Sequence, residues 1–359
     1  MVGLDNEWWH GKKVLITGHT GFVGSWLSIA MLELGARVSG ISDVVPTRPS
    51  LFEAAHLSSK VDDFRLDIRK IESVRATLNR VNPQIIFHLA AQPLVKESYR
   101  VPRDTVEVNV LGTLNLLEFL RESRSNATFI NMTSDKCYEN DGSKNGYKEG
   151  DALGGRDPYS ASKACSELIT RAYRDSFFLQ QSGNPLIRVA SIRAGNIIGG
   201  GDWAQNRLVP DFIRAIEKNS PLLVRYPHAT RPWQHVLDVV NAMCLLSQDI
   251  DARPGTFCDA WNIGPDHSHQ WSVLEVLQHI KECWGDHCSW RLDEEEQEHE
   301  EILLALDNTK AKEKLNWQPI WKTARAIEET VFWYRKYLQD SADTYKVTSE
   351  QFLRFKSEC

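Results

Sequence analysis

The order of apolar segments along this chain predicts an α/β fold, a doubly wound parallel sheet followed by a smaller α/β portion. Three observations carry that prediction. Short apolar runs alternate with longer stretches of helical periodicity through about the first 195 residues. A glycine-rich turn separates the first run from the first helix. The alternation stops near Gly195, where Gly199, Gly200 and Gly201 stand together and Trp and Pro become scattered. Short strands alternating with amphipathic helices are the pattern of βα units, which bury both faces of a parallel sheet.

Each element has its own signal. Val14–Gly18 follows two lysines as the first strand, and Gly21–Leu34 has helical periodicity and ends at Gly35, a good helix stop. Arg37–Ile41 and Phe64–Ile68 are the second and third strands, with a helix over Ile71–Asn79. Pro83 opens a fourth strand at Gln84–Leu89, and Thr128–Met132 is the fifth. Long helices are expected over Asp104–Arg121 and from Tyr159 to about Phe178, then a sixth strand at Leu186–Arg193. A further helix lies near Asp211–Lys218. The 359 residues divide approximately into 1–195 and 196–359, the two parts sharing residues across the boundary.

Composition excludes several classes. Apolar residues are 42% and charged residues 25%, which is globular rather than disordered. No apolar run approaches the roughly 18 residues of a membrane span, and the N-terminus lacks a secretory pattern. No membrane association is therefore expected. The net charge of −6, from 42 basic and 48 acidic residues, argues against nucleic acid as a partner. The acid excess is local, because leaving out Asp293, Glu294, Glu295, Glu296, Glu298, Glu300 and Glu301 takes −6 to +1. That run reads as a solvated loop or helix face. Seven scattered cysteines without CxxC pairs fit reduced thiols in the cytoplasm. Cys283, His287 and Cys288, with His267 and His269 upstream, match no common zinc spacing, so no metal is expected.

Gly18-His19-Thr20-Gly21-Phe22-Val23-Gly24 joins the first strand to the first helix. Glycines at this GxxGxxG spacing allow a tight turn, close approach of backbone N–H groups to a pyrophosphate, and helix–strand packing. Gly18, Thr20, Gly21, Phe22, Val23 and Gly24 are therefore assigned to a dinucleotide, and the sheet is of Rossmann type. Asp43 follows the second strand, 19 residues after Gly24. A carboxylate there accepts both adenosine ribose hydroxyls and repels a 2′-phosphate, which favours NAD over NADP; Arg48 lies near enough to blur that preference. Asp67 is assigned to the adenine edge or, alternatively, to the N-cap of the helix at Ile71.

Tyr159 and Lys163 stand four apart, on one face of a helix beginning just after Pro158. A lysine charge beside a tyrosine lowers the phenol pKa and suits it to take a proton from an alcohol as hydride leaves. YxxxK is a weak motif alone, but here it follows the fifth strand of a dinucleotide fold. With Thr17–Gly24, His88-Leu89-Ala90-Ala91, Asn109–Thr113, Thr133-Ser134-Asp135, Arg193-Ala194-Gly195-Asn196 and Leu315–Pro319, the chain resembles the extended short-chain dehydrogenase/reductases of nucleotide sugars. Pro49–Glu53, Ala91–Val95, Thr133–Tyr138, Gly199–Trp203 and Arg231–His235 resemble, in detail, the 4,6-dehydratases of CDP-linked hexoses within that family.

The resemblance implies hydride loss from sugar C4 to NAD as Tyr159 takes the hydroxyl proton, loss of water across C5 and C6, and hydride return to C6. Ser134 would hydrogen-bond the C4 oxygen, Asp135 would protonate the departing C6 hydroxyl, and Lys136 would take the C5 proton. Position 136 departs from the Asp-Glu of the dTDP-glucose type. A neutral lysine beside a protonated aspartate is a tautomer of their ion pair, costly in water by about 9 kcal/mol and less so in a dry pocket. A structural ion-pair role for Lys136 is the alternative. The resemblance also places Ile68, Leu89, Ala90 and Ala91 against NAD, and Asn196, Arg207, Leu208, Val209 and Arg231 against the nucleotide sugar, with Trp233 and His235 weaker candidates. It implies a homodimer or homotetramer through a four-helix bundle of the two long helices, although packing on their own sheet is open. Relatives of this kind supply deoxysugars for bacterial surface polysaccharides, including lipopolysaccharide O-antigen. The competing readings are a nucleotide-sugar 4-epimerase or reductase of the same fold, and a non-catalytic NAD(P) sensor. The first needs no acid and base at 135–136, and the second predicts a damaged Tyr/Lys pair.

Overall fold

A computed structural model of the chain describes residues 4–123, 125–142, 146–179, 187–266, 271–285, 288–293, 305–339 and 343–359. Its strands are β1 (Lys13–Thr17), β2 (Arg37–Ser42), β3 (Asp62–Arg65), β4 (Ile85–His88), β5 (Ala127–Met132), β6 (Ile187–Ala194) and β7 (Ala260–Ile263). They form one seven-stranded parallel sheet in the order β7-β6-β5-β4-β1-β2-β3. The strand order reverses between β1 and β4, and the C-terminal ends of these strands open a crevice there, where α/β sheets bind ligands.

Alternation along the strands divides the core. Val14, Ile16, Phe87, Ile130 and Ile192 belong to one apolar cluster, and Leu15, Ile86, Phe129 and Val189 to the other. Successive side chains point to opposite faces, so each strand feeds both. Helices α1 (Phe22–Glu33) and, later in the chain, Val236–Ala252 contribute to the first cluster. Helices α2 (Ile71–Val81) and α3 (Gly112–Glu122) contribute to the second. Helix α4 (Pro158–Tyr173) packs beside α3 and carries Tyr159 and Lys163.

Three elements differ from the expectation. The third strand is Asp62–Arg65, because its register is set by Ser39↔Asp62 through Ser42↔Arg65. The chain then leaves the sheet, and Leu66, Asp67 and Ile68 line the main cavity instead. The helix expected over Asp104–Arg121 is built from Pro102–Val106, a π-helical turn at Glu107–Leu111, and α3. Within the wider turn Asn109 is buried, donating to Ser162 Oγ at 2.8 Å and accepting from Gln92 N at 2.8 Å. A second π-helical turn, Arg174–Phe178, continues α4. Leu186, expected to open the sixth strand, lies outside the described residues, as do Glu294–Glu301 of the acidic run and His267, His269 and His287.

Residues beyond 196 complete this architecture. β7 pairs with β6 as an edge of the main sheet. Two-residue pairings join 197–198 to 234–235 and 230–231 to 271–272, and a three-residue one joins 222–224 to 290–292. The glycine triplet is a seam between the parts. Trp26 Nε1 of α1 donates to the Gly200 carbonyl at 2.8 Å, a Cβ on Gly200 would lie 2.0 Å from the Trp333 ring, and Gly201 has φ +79°. No helix among the described residues is long and apolar enough to cross a membrane.

Candidate active site

The crevice is a single cavity of about 1390 Å³, and every residue assigned above to catalysis, cofactor or nucleotide sugar lines it, the weaker candidate His235 excepted. Its floor is the glycine turn. Gly18 has φ +76°, and a Cβ on it would lie 2.8 Å from Ala90 N. A Cβ on Gly24 would fall 2.2 Å from Gly18 O, so the close return of α1 onto β1 admits only glycine. Gly21 caps α1 without a side-chain hydrogen bond, which leaves first-turn N–H groups, Phe22 and Val23 among them, facing the cavity. Such a helix start suits the pyrophosphate of a dinucleotide.

His19, which the glycine pattern passes over, braces this turn. Fully buried, it bonds Asp63 Oδ1 at 2.9 Å and Ser42 Oγ at 3.1 Å, joining the turn to β2 and β3. Burial lowers its pKa, against the opposing charge of Asp63. Thr20 Oγ1 donates to Val44 O at 2.7 Å and so fixes the loop after β2. Asp43 stands in that loop, exposed, with Oδ1 accepting from Val44 N. The Arg48 side chain is 83% exposed, 3.8 Å from Glu53, and outside the cavity lining. Asp67 is not a helix N-cap. Its carboxylate accepts from Arg69 N at 2.9 Å and from the Arg69 guanidinium, which holds its pKa low, while Lys70 is the N-cap residue of α2. Leu89 and Ala90 are held by N–H bonds to Thr17 Oγ1, both 3.2 Å, and that hydroxyl also bonds the buried, neutral His88.

The catalytic candidates meet where β5 ends and α4 begins. Asp157 caps α4 by accepting from Ser160 N, and Pro158 occupies the first turn, which brings Tyr159 to the cavity. Burial pushes the Tyr159 phenol up to about 12; its hydrogen bond with Ser134 and the charge of Arg207 act to lower it. The sequence assigned that lowering to Lys163. Instead the Lys163 ammonium donates to Met132 O at 3.3 Å, and burial pushes it down to about 8 against the charge of Glu167.

Ser134 caps one 3-10 turn, Asp135–Cys137, accepting from Lys136 N and donating to Asp135 Oδ1 at 3.0 Å. Asp135 is 2% exposed, and its Oδ2 has no hydrogen-bond partner among the described residues. Gly195 makes room for it, since a Cβ there would lie 1.9 Å from Oδ2. Among the described residues no ion pair joins Asp135 to Lys136 or engages Lys136 with another carboxylate, so the alternative of a structural ion-pair lysine finds no partner there. Neighbouring side chains in a 3-10 turn diverge by about 120°, which separates the two while both face the cavity.

On the opposite wall Arg207 pairs with the buried Asp202 at 2.9 Å, and Leu208 and Val209 open the helix Leu208–Glu217. Asn196 lines the cavity at φ +36°, and Arg231, buried, donates to Thr230 O. Trp233 also lines the cavity. His235 does not; it packs between Trp26 and Trp321, fully buried, with its pKa lowered to about 3 by that burial. Among the described residues no group of three metal-ligating side chains occurs.

A family model described as GDP-mannose 4,6 dehydratase matches residues 15–330. The chain belongs to that family. It is 42% identical over 340 residues, 94% of each chain, to a CDP-glucose 4,6-dehydratase of Salmonella typhimurium. It is 26% identical to a UDP-glucose 4-epimerase of Mycoplasma pneumoniae, over 91% of this chain and 97% of that one. Among solved structures, a UDP-glucose 4-epimerase from Thermotoga maritima with UDP-glucose has a TM-score of 0.77 at 21% identity, covering 91% and 99%. A dTDP-glucose 4,6-dehydratase from Bacillus anthracis in complex with NAD has a TM-score of 0.74 at 21% identity, covering 91% and 97%. At these identities the structures show a shared fold.

Asp43 is the group in this cavity whose loss reads out cofactor choice most simply. The substitution Asp43→Ala is expected to weaken NAD binding by on the order of 10–100-fold, the worth of a charge-assisted hydrogen bond, and to narrow the gap to NADP. Titration of both cofactors by fluorescence checks this. Equal affinity of the unmutated protein for NAD and NADP would remove Asp43 from that role.

Proposed function

We propose that the protein catalyses the NAD-dependent 4,6-dehydration of CDP-D-glucose to CDP-4-keto-6-deoxy-D-glucose. The observation that carries this reading is the 42% identity, across nearly the whole of both chains, with a CDP-glucose 4,6-dehydratase. The geometry supports it: a turn bearing Asp135 and Lys136 shares a cavity with the Tyr159–Lys163 pair. The glycine cradle and the uncapped start of α1 fit a dinucleotide. NAD, when bound, supplies a hydride acceptor for C4 and a donor for C6.

The chain's own groups supply the rest. Tyr159 takes the proton of the C4 hydroxyl, and Ser134 and Arg207 favour the phenolate. A ketone at C4 acidifies the C5 hydrogen. Lys136 removes that proton. Asp135 protonates the departing C6 hydroxyl through a buried carboxyl whose Oδ2 has no protein partner. Arg207 and Arg231 face the diphosphate, for which a planar guanidinium offers paired donors. An epimerase needs no acid and base at these two positions.

The same reading extends to assembly and location. Tyr99, Val106, Leu111, Leu168 and Phe177 are 48%, 44%, 45%, 42% and 44% exposed on the segment from residue 95 to α3 and on α4 and its π-helical turn. An apolar surface on these helices supports a homodimer through a four-helix bundle. The seven cysteines are free thiols, as the cytoplasm would keep them. The product is of the class that deoxysugar pathways for surface polysaccharides consume. Sedimentation of a Leu111→Glu/Leu168→Glu variant should show a monomer, and an unchanged sedimentation coefficient would remove this surface from assembly.

Product analysis with CDP-, dTDP- and GDP-hexoses offered side by side tests the substrate, and preference for another nucleotide or formation of a C4 epimer would overturn it. Lys136→Met should still permit the first hydride transfer, with reduced cofactor accumulating and C5 exchange with deuterated solvent lost. Asp135→Asn should retain C5 exchange while blocking loss of the C6 hydroxyl. Exchange near the wild-type rate in Lys136→Met would demote Lys136 to an electrostatic role.

A further inference from the structure

One buried carboxylate outside the substrate-facing set touches every element that carries the catalytic groups. Glu167, with 3% of its side chain exposed, lies one helical turn after Lys163 on α4. It accepts from Thr133 Oγ1 at 2.5 Å, Ser191 Oγ at 2.9 Å and Arg193 Nη2 at 2.8 Å. Thr133 directly precedes Ser134, Asp135 and Lys136. Ser191 and Arg193 sit on β6, just before Gly195 and Asn196. Arg193 is equally buried, and its Nη1 donates to Tyr138 Oη at 2.7 Å and Glu149 O at 3.0 Å. Tyr138 then donates to Asn262 of β7 at 2.7 Å. The network joins the residue after β5 and the residue after the 3-10 turn to α4, β6 and β7.

A buried ion pair is a poor device for stability alone, since packed apolar side chains of similar volume do as well or better. What it does supply is a fixed geometry and a fixed charge. The ammonium of Lys163 is itself buried and donates to the Met132 carbonyl of β5; among the described residues the titratable groups that act on it are Glu167, one turn on along its own helix, the Cys137 thiol on the 3-10 turn and the neutral His88 on β4. Of these, Glu167 is the carboxylate.

We propose that Glu167, clamped by Thr133, Ser191 and Arg193, is a positioning residue that holds the Ser134–Lys136 turn against the catalytic helix and sets its own carboxylate one helical turn from Lys163. This rests on the reading of Lys163 as one of the catalytic pair. The direction of the effect follows from burial. Desolvation already brings the Lys163 ammonium down to about 8, and Glu167 opposes it. Removing the carboxylate charge lets the lysine fall further, so the charged form is lost at lower pH.

The test compares the wild type with Glu167→Gln and with Glu167→Gln/Arg193→Met. The single variant leaves Arg193 charged and buried without its partner, and it is expected to lose thermal stability. The double variant removes both charges and restores folding. In the single variant the Lys163 titration midpoint, read by NMR on protein carrying ¹³C-labelled lysine, is expected to drop by about one unit, the scale of one nearby opposite charge. In the double variant, which also loses the Arg193 cation, the drop is smaller. The alkaline limb of first hydride transfer should move down with the midpoint. Glu167→Asp, which keeps the charge, should restore the limb at least in part. A wild-type midpoint and limb in folded Glu167→Gln, or a raised midpoint in the double variant, would overturn the proposal and leave the pair structural. The lysine titration is read without turnover, so failure to act on CDP-glucose would count against the proposed activity and leave this result standing.

Discussion

Desolvation at the C-terminal edge of the sheet is the constraint on which the site depends. Between β5, α4 and β6 a phenol, an ammonium and a carboxyl are withdrawn from water within a few residues of one another. Burial disfavours every charged form, so it moves Tyr159 up and Lys163 down. Each shift is then trimmed by a particular neighbour, Ser134 and Arg207 for the phenol and Glu167 for the ammonium. The site's protonation is therefore governed as much by groups behind the cavity wall as by those on it.

The fold produces this edge by topology. Parallel strands bring all their C-terminal ends to one side, and the reversal of strand order between β1 and β4 leaves the crevice there. The glycines follow from crowding at the same edge. Gly18 and Gly24 let the first turn close on itself, and Gly195 leaves space for Asp135 Oδ2. Beyond residue 196 the chain returns with β7 and Arg207 to finish the sheet and one wall, so neither part of the chain forms the cavity alone.

Much of this was legible in the sequence because it rests on local pattern. The glycine turn, the four-residue spacing of Tyr159 and Lys163, and the strand–helix alternation are short-range signals tied to backbone geometry. What escaped depends on contacts between distant residues. His19 meets Asp63 across 44 positions, and Glu167 meets Arg193 across 26. The third strand was placed too late because an edge strand's extent is set by its partner's register, and Leu66 and Ile68 line the cavity beyond the last paired residue. Adjacency misled at 135–136, where a 3-10 turn sends neighbouring charges apart. His235 drew notice as a polar residue in a motif, yet its role is to pack between tryptophans.

The proposed reaction removes a hydride from C4 and returns it to C6 of the same sugar within one cavity, with acid and base acting between those steps. CDP-D-glucose carrying deuterium at C4, turned over in ordinary water, tests this. The expected product is a 4-keto-6-deoxy sugar nucleotide with the deuterium at C6. Deuterium lost to solvent, retained at C4, or passed to a second sugar molecule would contradict it.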